Sequence, residues 1–263
     1  MIAVYSLWRR EVVRFVRQRS RLTGAILQPL FFWLLFGVAF GASFRTKGAA
    51  GEATADYLEY FFPGTIALIV LFSAIYSTIS IIEDRNEGFL QSVLVAPVSR
   101  ASIVAGKVLG GATMAFGQAF VFLLLAPLAG VSWTVASAGA TLGVLALLAI
   151  TLTALGFCIA WRMESTGGFH AIMSAFLLPM WLLSGAFFPA ERLPWWLGAV
   201  IAINPLTYGV AALRRSLYLG AGSFEGVTLP SMTLSLGITL AFLAVTFAFA
   251  LRLAATRVRG DFR

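Results

Sequence analysis

The chain has 263 residues, of which 60% are hydrophobic and only 11% are charged, and its mean hydropathy is +0.91. An ordinary soluble domain has about 25% charged residues, so this composition excludes a water-soluble fold and indicates an integral membrane protein. The net charge of +8 is explained by basic residues gathered at one membrane face rather than by nucleic-acid binding. The single cysteine, Cys158, excludes an intrachain disulfide.

Residues 1–23 are predicted to form an amphipathic helix that lies at the membrane interface. Arg10, Arg14 and Arg17 fall on one stripe of this helix, and Trp8 falls on the opposite, apolar side. A basic face opposite an apolar face suits anionic lipids, so membrane lipids are predicted partners. In the alternative interpretation these residues are a plain basic flank, which places this end of the chain in the cytoplasm equally well.

Six apolar segments are long enough to cross a hydrocarbon layer of about 30 Å. Their predicted bounds are 24–44, 61–82, 103–128, 134–160, 169–188 and 229–251. They predict an all-α integral membrane protein with one six-helix transmembrane domain over residues 24–251, followed by a basic tail at 252–263. With the N-terminus inside, fourteen of the nineteen lysines and arginines lie on the inner side and five on the outer side. This asymmetry predicts that both termini are cytoplasmic.

Residues 189–219 precede the last predicted span and are too broken to form a span themselves. Pro189, Pro194 and Pro205 interrupt the segment, and the adjacent Trp195 and Trp196 suit the depth of the lipid headgroups. We therefore expect a re-entrant pair of short helices on the outer side.

Residues 83–100 form a charged segment between two predicted spans, which the orientation places in the cytoplasm. We expect a short helix whose start carries three acids, Glu83, Asp84 and Glu87. Their negative charges would interact favourably with the positive N-terminal end of the helix dipole. Gly88 predicts a turn, and Pro97 ends the helix. The apolar face of the helix, formed by Phe89, Leu90, Val93 and Leu94, is expected to dock into a groove on a partner. Alternatively, the segment is a solvated connection that docks nowhere.

Motifs for catalysis, phosphate binding or metal binding were not found in the sequence. Lys107 follows Gly106, but Ala101 and Val108 stand where a phosphate-binding loop needs glycine and Ser or Thr. The single histidine, His170, has no second His or Cys nearby, so no metal site is expected. The acids are expected in loops rather than in spans, which argues against proton-driven transport. The energy for an active role must then come from another chain, and this chain is not expected to be an enzyme.

Two separated motifs resemble those of the type-2 ABC transporter permeases. The first comprises EDRNEG at 83–88, LVAPVSR at 94–100 and GK at 106–107. The second comprises LSGAFFP at 183–189, LP at 193–194, NPLTY at 204–208 and ALR at 212–214. With six spans around them, these motifs extend the resemblance over nearly the whole chain.

The resemblance implies a membrane subunit of an ATP-driven exporter in the plasma (inner) membrane of a prokaryote. It implies a second permease copy, forming a homodimer, and two cytoplasmic ATPase subunits, which would hold ATP and Mg. The N-terminal helix and the 83–100 segment would contact the ATPases. In the 83–100 segment the contact residues would be Glu83, Asp84, Arg85, Glu87, Gly88, Leu94, Pro97 and Arg100. The re-entrant motif would comprise Gly185, Pro189, Asn204, Pro205, Tyr208 and Arg214.

The resemblance also implies a translocation path along the first, second and fifth spans. The candidate path residues are Phe31, Phe32, Ser73, Tyr76, Ser77, Phe176 and Trp181, and ordinary helix packing is the alternative role for each. The expected substrate is an amphiphile such as a drug, a lipid, a glycolipid or a polysaccharide, and the aromatic lining favours a hydrophobic drug or lipid. Two other functions stay open. One is a permease-like assembly factor, for example a haem-handling maturation component, and the other is a secondary transporter, which requires a buried acid within a span.

Overall fold

The computed structural model describes residues 1–17, 19–41, 57–132, 134–188, 194–219 and 229–256. Within these ranges every regular element is helical. The helices are α1 (Ile2–Arg17), α2 (Arg19–Gly41), α3 (Tyr57–Ser77), α4 (Ile79–Asn86), α5 (Phe89–Val95), α6 (Arg100–Leu123), α7 (Val135–Ala160), α8 (Thr166–Leu182), α9 (Trp195–Ile203), α10 (Pro205–Leu217) and α11 (Met232–Ala255). A short 3-10 turn, Ala126–Ala129, follows α6.

Four helices of the described ranges are long and apolar enough to cross a membrane. They are α6, α7, α11 and the 30-residue helix Tyr57–Asn86 that α3 and α4 form together. The pair α9 and α10 is bent by 81° and counts as a fifth span at most. Helix α8 and the apolar part of α2, Leu27–Phe40, are shorter. An all-helical membrane fold is therefore confirmed, whereas the six-span arrangement stays a prediction.

Hydroxyl side chains begin several of these helices by accepting a hydrogen bond from a backbone N–H of the first turn. Ser99 does so for α6, Ser165 for α8 and Ser231 for α11. Helix α7 begins with a capping box, in which Thr134 and Ser137 each bond to the backbone of the other. The helix starts are thus fixed by local sequence.

Helix α3 lies at the centre of the bundle and packs against α2, α6, α7, α8 and α10. Its aromatic residues Tyr60, Phe61 and Phe62 are fully buried. In contrast, α11 packs on α7 and α10 and leaves Leu240, Val245 and Phe249 exposed. Such an apolar outer face is what lipid tails cover in a membrane protein.

Three predicted boundaries were wrong. The second span was expected to end at residue 82, but the helix continues to Asn86 after a break at Thr78. Residues 19–22 begin α2 instead of ending the N-terminal helix. The predicted fifth span ends early, at Leu182, because the chain then turns through Gly185 with φ of +72°. Residues 42–56, Pro189 and residues 257–263 lie outside the described residues.

Candidate functional site

Helix α1 packs against α6 at two glycines. A Cβ atom on Gly106 would lie 2.7 Å from the Cβ of Leu7, and one on Gly110 would lie 2.6 Å from the Cβ of Glu11. The absence of side chains at this GxxxG spacing therefore lets the two helices approach closely. Trp8 reinforces the contact by donating from Nε1 to Thr113 Oγ1 at 3.0 Å.

A group of six charged side chains joins α1, α4 and α6, and we call it the charge cluster. Its members are Arg10, Glu11, Arg14, Glu83, Asp84 and Lys107. At its centre, the fully buried Asp84 accepts two hydrogen bonds from Arg10, at 2.7 and 2.8 Å, and one from Arg14 at 2.9 Å. Lys107 donates to Asp84 as well, and to Glu11 at 2.6 Å. The hydrogen bond with Asp84 raises the pKa of Arg10 above its ordinary value, against the lowering effect of partial burial.

The charge cluster changes the interpretation of four predicted residues, namely Arg10, Arg14, Glu83 and Asp84. Arg10 and Arg14 were expected to face anionic lipids, but both bind acids of their own chain, including Glu83 at 2.8 Å from Arg14. The expectation that the acids lie in loops was wrong for Glu59, Glu83 and Asp84, which all lie within the candidate span Tyr57–Asn86. Of these, Asp84 is fully buried. The acids do not begin a short helix either, because Glu83 and Asp84 lie in the second half of α4. Of the predicted basic stripe, Arg17 is exposed.

Two members of the charge cluster, Glu11 and Lys107, were missing from the predicted site residues. Glu11 is 8% exposed and Lys107 is 5% exposed. The sequence did hold a signal for Lys107, since a lysine within an apolar helix needs an acidic partner. Glu11 offered a weaker signal, because it is the one acid of an otherwise basic helix.

The predicted docking segment forms a turn and the short helix α5. Gly88 adopts a left-handed conformation with φ of +76°, so it is suited to the turn between α4 and α5. The guanidinium of Arg10 lies 3.7 Å from the ring centre of Phe89, and Leu90 is buried. Leu94 packs partly against the core. The apolar face expected to dock on a partner is therefore turned toward its own chain at these positions.

The remaining predicted docking residues divide into bonded and exposed groups. Arg85 donates to the backbone oxygens of Trp161, at 2.7 Å, and Met163, at 2.9 Å, and so ties α4 to the connection between α7 and α8. The side chain of Glu87 is 60% exposed and touches Arg14 only at 3.5 Å. Pro97 and Val95 are also exposed, and Arg100 is half-buried. The surface available to another protein thus comprises the α4–α5 turn and the end of α5.

A cavity of about 890 Å³ lies between α2, α3, α6 and α8. Five of the predicted path residues line it: Phe32, Ser73, Tyr76, Ser77 and Trp181. Phe31 and Phe176, which were also predicted, are not among the lining residues and are 61% and 53% exposed. The volume falls within the range of about 300–1,000 Å³ that is usual for ligand sites.

The cavity walls combine seven aromatic side chains with aliphatic and polar groups. Trp181 is fixed by a hydrogen bond from Nε1 to the Gly64 oxygen at 2.8 Å. His170, for which no role was expected, lines the cavity with its ring centre 5.3 Å from that of Tyr76. Gln118, which the sequence analysis missed, lies in the wall beside Ser73. One end of the cavity is formed by three members of the charge cluster, namely Glu11, Arg14 and Glu83.

The re-entrant motif converges on the turn that follows α8. Asn204 donates to the oxygens of Met180 and Leu183, at 2.6 and 2.9 Å, and accepts from the backbone of Leu206. Pro205 opens α10, and Tyr208 donates to the Ala202 oxygen at 2.8 Å. These bonds fix the bend between α9 and α10 relative to α8.

Arg214 links the same motif to α3. It is 1% exposed and donates to the backbone oxygen of Tyr60 at 3.2 Å. Its guanidinium carbon also lies 4.2 Å from the centre of the Tyr60 ring. The Tyr60 hydroxyl donates to the Gly185 oxygen at 2.9 Å. These contacts give the motif a structural role at the end of the bundle away from the charge cluster.

Comparisons with known proteins agree with this architecture. The family described as "ABC-2 type transporter" matches residues 2–218. The chain is 29% identical, over 80% of its length and 72% of the relative, to the putative transport permease ycf38 of Cyanophora paradoxa. It is 25% identical, over 83% of its length and 76% of the relative, to the daunorubicin resistance ABC transporter permease protein DrrB1 of Streptomyces coeruleorubidus.

A third relative is similar over a shorter share of its own length. The chain is 27% identical to the linearmycin resistance permease protein LnrN of Bacillus subtilis, over 79% of this chain and 51% of the relative. The family match covers most of the chain, from α1 to the residue after α10. The chain therefore belongs to the ABC-2 type transporter family.

Proposed function

We propose that this chain is the membrane subunit of an ATP-driven exporter of hydrophobic, drug-like amphiphiles. The observation that carries the proposal is the cavity between α2, α3, α6 and α8, which is lined by aromatic rings and reaches the charge cluster. Its size and mainly apolar wall fit one amphiphilic molecule better than a long charged glycan. Two relatives, DrrB1 and LnrN, carry drug-resistance names, which supports a drug-like substrate.

In the proposed assembly, two copies of this chain form a homodimer in the inner membrane of a prokaryote, with their termini in the cytoplasm. Two ATPase subunits bind at the exposed α4–α5 turn and supply the ATP site and its Mg, because this sequence has no phosphate-binding loop. Closure of the ATPases shifts α5 and α1. The charge cluster connects α1 and α4 to α6 and to the cavity wall, and Arg10 of α1 contacts Phe89 of α5.

The alternative of a secondary transporter fits the charge cluster less well. Such a transporter needs an acid that gains and loses a proton. Asp84 accepts hydrogen bonds from Arg10, Arg14 and Lys107, and protonation of its carboxylate would weaken these charge-assisted bonds. The cluster therefore fits a permanent ionic connection between helices better than a proton carrier.

The ATPase partner is tested by affinity purification of the tagged chain from its native membranes, followed by mass spectrometry. The expected result is co-purification of an ATPase with a phosphate-binding loop, together with ATP hydrolysis by the complex. Glu87→Arg, at an exposed position, should dissociate or uncouple that complex without unfolding the chain. The matched control is Glu164→Arg, which changes another exposed acid that lies outside the α4–α5 turn. Normal assembly and transport by Glu87→Arg would refute docking at the α4–α5 turn.

A further inference from the structure

A buried amide in the cavity wall has unused hydrogen-bonding capacity. Ser73 on α3 donates to Oε1 of Gln118 on α6. Gln118 is 3% exposed, and its Nε2 has no hydrogen-bond partner in the described part of the chain. A side-chain amide carries two N–H donors on that nitrogen. Gln118 therefore holds two donors that the surrounding protein does not use.

Such an arrangement is exceptional, because the large majority of buried side-chain polar atoms have a partner. Two other donors of the same cavity are already used by the protein. Ser77 donates to the Ala74 oxygen at 2.6 Å, and Trp181 donates to the Gly64 oxygen at 2.8 Å. Gln118 is thus distinguished from these groups as a cavity residue whose amide N–H donors have no acceptor in the described part of the chain.

The surroundings of Gln118 define the chemistry of that molecule. The rings of Phe32, Phe72 and Tyr76 line the same cavity and favour an aromatic ligand. The charged lining residues Glu11, Arg14 and Glu83 belong to the charge cluster at one end. An amide donor with an aromatic wall matches an uncharged acceptor oxygen on a flat ring system.

We infer that Gln118 is a specificity residue, and that its Nε2 donates to a carbonyl, ether or hydroxyl oxygen of an aromatic substrate. Ser73 holds the other end of the amide and so orients the donors. The inference rests on the proposed function in that the cavity is taken to receive the exported molecule. A site built to donate a hydrogen bond discriminates against an analogue that lacks the acceptor.

The test compares two probes that share a ring skeleton and differ in their oxygens, namely 9,10-anthraquinone and anthracene. Binding of each radiolabelled probe is measured on the purified chain in lipid nanodiscs, with empty nanodiscs subtracted. The wild-type chain should bind anthraquinone about tenfold more tightly, as one net hydrogen bond predicts. Gln118→Met keeps the length of the side chain but removes the donors, and should bring the ratio of the two affinities to about one.

The matched control is Thr141→Val. Thr141 is also fully buried, its Oγ1 makes no hydrogen bond within the described residues, and it is not a cavity residue. This variant should keep the wild-type ratio. Gel filtration checks that each variant is folded, and Gln118→Leu provides the same comparison where Gln118→Met fails that check.

Three results would overturn the inference: equal binding of both probes by the wild type, an unchanged ratio in the Gln118 variants, or an equal loss in Thr141→Val. Failure to bind either probe would overturn it as well. The measurement uses the permease without an ATPase. Failure of the ligand inference is therefore distinguishable from failure of the proposed exporter, which the purification of an ATPase partner tests.

Discussion

Replacing Lys107 by methionine removes the cation that Glu11 and Asp84 share while keeping an unbranched side chain. In the wild type, Lys107 Nζ lies 2.6 Å from Glu11 Oε1 and also donates to Asp84 and, at 3.3 Å, to Ser80. All three helices of the charge cluster therefore lose a connection in Lys107→Met. We expect lower stability, because the substitution leaves buried negative charge without its partner.

The size of the stability loss depends on the ion pairs that each acid keeps after the substitution. Asp84 keeps its bonds to Arg10 and Arg14, whereas Glu11 keeps only a 3.4 Å contact with Arg10. Removing one partner of a buried ion pair costs about 3–5 kcal/mol. Since Arg10 remains near both acids, the lower end, about 3 kcal/mol, is expected. At about 2–4 °C per kcal/mol, the unfolding midpoint should fall by about 6–12 °C.

Thermal unfolding in nanodiscs, followed by tryptophan fluorescence, measures this change. Adding Glu11→Gln to Lys107→Met removes the stranded charge, so the double variant should recover about half of the lost stability, about 1.5 kcal/mol. Arg162→Met removes an exposed cation outside the charge cluster and should stay within about 0.5 kcal/mol of the wild type. The reasoning fails if Lys107→Met is as stable as the wild type, or if Glu11→Gln restores nothing.

Two further predictions concern the packing around the site, and both are measured by the same unfolding assay. Gly110→Ala places a Cβ 2.6 Å from that of Glu11, so it should push α1 away from α6 and lower the stability by about 1–3 kcal/mol. The control is Gly117→Ala, because nothing lies within 4 Å of a Cβ at that position. Equal stability of the two variants would contradict the close approach of α1 and α6. Trp181→Phe leaves the Gly64 oxygen without its 2.8 Å hydrogen bond and should cost about 1–3 kcal/mol. Trp161→Phe should cost less, because the Trp161 Nε1 has no partner in the described residues, and the reverse order would refute this role of Trp181.

Hydropathy predicts the long helices well, because an apolar run and its flanking caps are local features. The span predicted at 134–160 corresponds to the helix Val135–Ala160, and Thr134 is its N-terminal capping residue. The end of the second span was missed for the opposite reason. The charges of Glu83 and Asp84 suggest a loop, but Arg10, Arg14 and Lys107 neutralise them from distant parts of the sequence. Hydropathy carries no information on such long-range pairs.

The family resemblance indicated three of the helices that border the cavity, α2, α3 and α8, but it did not indicate α6 or the helix faces that line the cavity. Phe31 and Phe32 are adjacent in α2, yet only Phe32 lines the cavity. Because α2 is apolar all around, periodicity does not show which side meets α3. Gln118 did carry a usable signal, since an amide within an apolar helix must find a partner or a ligand. Its register against Ser73, 45 residues away, emerges only when α3 and α6 are packed together.

The charge cluster and the cavity share three residues. Because two of them lie on α1, this helix contributes to the cavity wall as well as to the contact with α6. Glu11 and Arg14 project from α1, Glu83 projects from α4, and all three form one end of the cavity wall. Arg14 joins α1 to Glu83 at 2.8 Å, while Gly106 and Gly110 hold α1 against α6. A displacement of α1 along α6 must therefore break that ion pair and reshape the cavity end in the same movement. In the proposed exporter, a force applied at α1, or at α5 through the contact of Phe89 with Arg10, reaches the substrate through these contacts and needs no charge within the cavity centre.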